Sequence, residues 1–152
     1  MEIIFPNYNA DIISGKSIGG LSIGDSAKDV VSRLNPECTL KSASFSNPSG
    51  KFIQYELDNG TISFTVGPDG KITALWCKRP YSGRFDKRLK PGMTASEIAK
   101  VTSHQMEFGG YLILDKNYKV FFSMPPDFDD FDDFDDFPAD LIFEELHVGN
   151  LR

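Results

Sequence analysis

The chain has 152 residues, a size that suits one domain or two small halves sharing a core. Its 40% hydrophobic and 25% charged residues are near globular norms and argue against wholesale disorder. The net charge is −6, yet Pro125–Asp140 alone holds eight Asp and no base, while the rest carries 16 bases against 14 acids. A segment so anionic argues against nucleic acid or an anionic membrane as its partner and favours a basic protein surface or a cation.

In chain order, Met1–Pro6 has no basic n-region and only a short apolar run, so no signal peptide is legible. No apolar stretch approaches the roughly 20 residues that span a bilayer. The chain is expected to be cytoplasmic, with Cys38 and Cys77 as reduced thiols. No Cys/His spacing suggests a metal site, and no cofactor is expected. Residues 1–20 are expected to add one or two short strands. Then Leu21-Ser-Ile-Gly24-Asp-Ser26-Ala27-Lys-Asp29-Val30 is echoed, 68 residues later, by Leu89-Lys-Pro-Gly92-Met-Thr94-Ala95-Ser-Glu97-Ile98. In both copies Gly permits a turn of positive φ, and Ser26 or Thr94 can cap a helix. Glu97 completes a capping box, and Asp29 is a shorter variant. Val30, Val31 and Leu34 form one apolar helical face; Ala95, Ile98 and Val101 form the other.

Residues 35–51, with Pro36, Pro48, Gly50 and four Ser, read as a long connection. Phe52–Leu57 and Thr61–Val66 flank an Asp58-Asn59-Gly60 hairpin turn, with Ile62, Phe64 and Val66 alternating against Thr61, Ser63 and Thr65. Gly67–Gly70 turns the chain into Lys71–Lys78, where Ile72, Ala74 and Trp76 are expected to share a face. Lys78–Lys90, with six bases and one acid, joins the halves. Tyr111–Leu114, Lys119–Met124 and Leu141–Val148 repeat the three-strand pattern. The expected fold is α+β: two tandem helix–β-meander halves, about 15–80 and 86–149, forming a mostly antiparallel sheet with helices on one face. The short turn Gly67–Gly70 then corresponds to Pro125–Asp140. The acidic run is an expanded hairpin loop, and loops this long are commonly functional or disordered.

Catalytic signals are weak. Gly20-Leu21-Ser22-Ile23-Gly24 matches a nucleophile elbow, but that motif needs a strand before, a helix after, and a base in reach. Gly15-Lys16-Ser17 resembles the end of a phosphate loop but lacks the first Gly, since position 10 is Ala10. His104 falls near the end of the second helix, and His147 is expected to face solvent from the last strand.

The acidic loop allows three interpretations. Asp127, Asp129 and Asp130 are hard ligands for calcium, although the EF-hand Gly and Glu are lacking. A solvated low-complexity insertion is the bland alternative. The third is a binding surface, in which Phe128, Phe131, Phe134 and Phe137 recur every three residues among the carboxylates. The same period could lay the Phe residues along one side of a short helix against the body.

The two halves, each introduced by a Leu-x-x-Gly-x-Ser/Thr turn, resemble the duplicated architecture of the β-lactamase inhibitor protein. Leu89-Lys90-Pro91-Gly92-Met93-Thr94 is also similar to the helix-entry turn of small outer-membrane assembly lipoproteins. In general character the chain resembles immunity proteins of bacterial polymorphic-toxin systems, including contact-dependent growth inhibition. That resemblance implies a non-catalytic protein that neutralises a cognate toxin, often a nuclease, by tight binding. The residues expected to engage this basic partner are Asp127, Phe128, Asp129, Asp130, Phe131, Asp132, Asp133, Phe134, Asp135, Asp136 and Phe137. A general protein-interaction or calcium-binding module is the alternative.

Overall fold

A computed structural model describes residues 2–128 and 130–152; Asp129, one of the expected partner-binding residues, lies outside them. The architecture is α+β with a large antiparallel sheet. In chain order come β1 (Ser17–Ile18), β2 (Leu21–Ser22), α1 (Ala27–Arg33), β3 (Leu40–Asn47), β4 (Gly50–Leu57), β5 (Ile62–Val66) and β6 (Ile72–Cys77). The second half supplies β7 (Met93–Thr94), α2 (Ala95–Val101), β8 (Gln105–Phe108), β9 (Tyr111–Leu114), β10 (Asn117–Ser123), β11 (Ile142–Phe143) and β12 (Leu146–Val148). The main sheet runs β3-β4-β5-β6-β12-β10-β9-β8, so the last strands of the two halves meet at its centre.

The duplication goes deeper than the repeated helix entry. Ser26 accepts from the Asp29 backbone N–H, while Thr94 and Glu97 form a full capping box. Asp29 instead turns to Arg33, one helical turn on, at 3.0 Å. Gly24 and Gly92 hold φ of 91° and 85° in the turns before the helices. The β4–β5 and β9–β10 turns each place an aspartate, Asp58 or Asp115, at positive φ. Each carboxylate reaches back to the start of its meander: Asp58 accepts from Thr39 N–H at 2.9 Å, and Asp115 accepts from Ser103 and His104 N–H at 2.7 and 2.9 Å.

Three expectations are corrected. Residues 35–51 are not a loose connection: they contain β3, paired with β4 along eight positions. Each half is therefore a helix followed by four strands of the main sheet, with β8 the second-half counterpart of β3. Leu141–Val148 is not one strand but two, β11 against β7 and β12 in the main sheet. Ile72 does not share a face with Ala74 and Trp76. The β5–β6 register shifts between Thr65 and Val66, a bulge that sends Ile72 into the core and leaves Ala74 and Trp76 on the opposite face.

One buried cluster draws on both halves: Ala27 and Val30 of α1, Ala95 and Ile98 of α2, and the inner sheet residues Leu57, Ile62, Phe64, Leu75, Phe122 and Leu146. The leader straps across it. The Tyr81 hydroxyl donates to the Ala10 carbonyl at 2.6 Å and accepts from Gly19 N–H at 3.0 Å. Gly83 is required there, because a Cβ at that position would stand 1.9 Å from the Ala10 carbonyl oxygen.

Candidate functional sites

The acidic loop leaves β10 after Ser123 and returns through β11. Its four Phe side chains fold inward. Phe134, 5% exposed, sits in a 3-10 turn whose cap is Asp133, which accepts from Asp135 N–H at 3.0 Å. The Phe134 ring centroid lies 5.5 Å from those of Phe131 and Phe137 and 5.9 Å from that of Phe143. Phe128 joins the cluster edge-on to Phe137. The rings thus act as the loop's anchor, as the i, i+3 spacing allowed, and offer no exposed aromatic patch.

What they cover is defined by the duplication. Ala95, Ser96, Ala99 and Lys100 of α2 lie beneath Phe134 and Phe137, with a hollow of 280 Å³ left between them. The positions 68 residues earlier, Ala27, Lys28, Val31 and Ser32, border an open groove of 650 Å³ beside Ile53, Tyr55 and Val66. The first half has no loop to roof it.

With the rings inside, the carboxylates are outside. Asp127, Asp130, Asp132, Asp133, Asp135, Asp136 and Asp140 are all exposed. Among the described residues none of them forms an ion pair. The basic linker does not neutralise them: Arg79 forms a bidentate pair with Glu144 at 2.9 and 2.5 Å, and Arg88 pairs with Asp86 and Asp115. Among the described residues no group of three or more His, Cys, Asp or Glu is placed to hold a metal ion.

A second site lies on the outer sheet face, away from the helices. His147 is not the solvent-facing residue expected. It is 8% exposed, stacked between Trp76 and Phe121 at centroid distances of 5.4 and 5.5 Å, with Tyr111 edge-on at 5.3 Å. Strand alternation does place it on the outer face; rings from neighbouring strands then bury it. Its Nε2 lies 2.6 Å from Ser123 Oγ, which donates to Glu145 Oε1 at 3.1 Å. The bond to His147 holds the Glu145 carboxyl below its usual range, against the opposing effect of burial. This trio is not a nucleophilic triad. In a triad the acid orients the histidine through the ring nitrogen opposite the one that faces the serine, and Glu145 does not. Glu145 approaches Nε2, the nitrogen that faces Ser123, at 3.6 Å, and leaves Nδ1 unoriented. The trio closes on itself as a packed, hydrogen-bonded unit.

The other sequence candidates fall apart as sites. Ser22 lies in the short β1–β2 hairpin, and its backbone N–H is bound by Asp25 at 3.0 Å; among the described residues no parallel sheet or histidine partner accompanies it. Lys16-Ser17 enters β1 and not a helix. His104 is exposed beyond α2, its N–H held by Asp115. No helix among the described residues is long and apolar enough to cross a membrane.

No protein-family model and no curated protein matches the sequence. Among solved structures, the chain is similar to the uncharacterized protein YfeY from Escherichia coli, with a TM-score of 0.54 and 11% identity over 99% of this chain and 100% of that one. The likeness is one of fold.

Proposed function

We propose that the chain is a non-catalytic immunity protein of the cytoplasm that binds and neutralises a cognate toxin domain through Pro125–Asp140. One observation carries the proposal: the loop's Phe rings are spent on anchoring it, while its described carboxylates stand exposed and unpaired. A loop already held in place loses less entropy on binding than a floppy one. A nuclease toxin is the natural partner, because it must present a basic cleft to a polyanionic substrate. Attraction of an anionic ledge to such a cleft raises encounter rates by about 10 to 10³-fold, and it fades with salt.

The inward rings also select the right experiment. Deleting residues 127–137 would uncover Ala95 and Ala99 of α2 along with removing charge. Replacing the loop aspartates by Asn removes charge alone and keeps the side-chain oxygen that caps the Phe134 turn. The proposal expects a toxin gene directly upstream; co-expression of its toxin domain with this chain should leave cells protected, and the Asn variant should lose that protection. Full protection by the Asn variant would remove the loop from the interface.

A further inference from the structure

Beside the histidine cluster the outer face keeps an open slot. One row of paired residues crosses the sheet: Phe121, His147, Trp76, Ser63, Glu56. His147 stacks against one face of the Trp76 indole. On the other side the next strand offers only Ser63, and the strand beyond it offers Glu56. Two strand spacings put the Trp76 and Glu56 backbones about 10 Å apart, with one short side chain between them. A flat group resting about 3.5–4 Å from the indole fits that width. The slot belongs to a groove of 440 Å³ that Gln54, Thr65 and Lys78 also line.

Its polar groups are uncommitted. Ser63 is 3% exposed, opens onto the groove, and its hydroxyl makes no hydrogen bond within the described chain. The side chains of Gln54, Glu56 and Thr65 make none either, whereas Ser123 bonds to both Glu145 and His147. The charged neighbours are Glu145, Lys41, opposite Glu56 in register and exposed, and Lys78, whose ammonium end lies beside Gly60 toward Ser63. Among the described residues Glu56 forms no ion pair.

We propose that this slot binds the guanidinium of an arginine side chain presented by the partner. The inference rests on the proposal above that the partner is basic. Acceptors crowd the slot: both Glu56 oxygens, the Gln54 carbonyl and two hydroxyls. A guanidinium is flat, carries five donors and no acceptor, stacks on an aromatic face, and grips a carboxylate with two parallel bonds. An ammonium has the charge without the plane. Because the two lysines balance much of the local charge, shape and donor count select the ligand more than net attraction does.

Trp76 is the only tryptophan, so its fluorescence reports the slot directly. The full chain is titrated with Nα-acetyl-arginine amide, with the lysine analogue, and with the citrulline analogue, which keeps the shape but loses the charge and a donor. Saturable binding is expected for the arginine probe, with the other two at least about fivefold weaker. Glu56→Gln should weaken the arginine probe by about tenfold. The loop Asn variant should bind it as the unmodified chain does. Equal responses to arginine and lysine probes, the absence of a saturable response, or a stronger response to glucose would overturn the assignment using the unmodified chain alone. If the arginine probe fails while the Asn variant loses protection, the slot proposal falls and the loop proposal stands. If the probe binds and the Asn variant still protects, the reverse holds.

Discussion

Truncating Phe134 tests whether the loop is a built element of the fold. The side chain is 5% exposed and touches three other rings, and Ala95 and Ala99 lie below it. Removing a buried Phe forfeits about 1.5–3 kcal/mol of transfer free energy. The hollow already present under the loop would grow, and the added cavity raises the cost of Phe134→Ala to about 3–5 kcal/mol. Phe128 meets only Phe137 among these rings and is half-buried, so Phe128→Ala should cost about 1 kcal/mol or less. Urea unfolding measures both. At a slope of about 1–3 kcal/mol per molar urea, the Phe134 variant should unfold at least about 1 M earlier, and the Phe128 variant should shift by no more than about a third as much. Equal midpoints for all three proteins would mean that the loop does not pack on α2, and the preformed ledge would go with it.

The duplicated aspartates make a second test: Asp115→Ala frees two backbone N–H groups and should cost about 1–3 kcal/mol by urea titration. Tyr8, foremost, holds the Asp58 carboxyl below its usual range, and at Asp115 burial pushes up but the bonds from Ser103, His104 and Arg88 prevail. Lowered folded-state values contribute stability above the ordinary carboxylate pKa, so thermal midpoints should fall as pH drops through about 4 and below; midpoints flat from pH 6 to 3 would contradict this. Gly83→Ala drives a Cβ into the Ala10 carbonyl and should be severely destabilising, by about 3 kcal/mol or more, or fail to fold. Calcium titration tests the alternative: a stoichiometric affinity lost on changing Asp129 and Asp130 to Asn would favour a calcium-binding module.

The repeated helix entry was legible because its chemistry is local: a cap, a box and a glycine turn lie within ten residues. Alternation in Ile62–Val66 was legible for the same reason. The edges were not. All eight residues of β3, Leu40–Asn47, are exposed, so the strand has no buried face to print a period on the sequence. The inversion at Ile72 depends on a bulge that no composition announces. Alternation places His147 on the outer face but says nothing of its surroundings, since the rings that cover it come from β6, β9 and β10. The Phe triplets admitted both an outward and an inward arrangement, and only the apolar α2 surface beneath them decides between the two. The slot beside Trp76 was missed altogether: its residues come from three strands and are brought together by register alone.

The most direct measurement is the affinity between this chain and the toxin domain that the proposal expects to be encoded directly upstream, taken at low and high salt for the unmodified chain and the loop Asn variant. Tight binding that weakens steeply with salt, with both the affinity and most of the salt dependence lost in the variant, is the predicted result. The absence of a complex, or a variant that binds as tightly and with the same salt dependence, would contradict the role assigned to the loop.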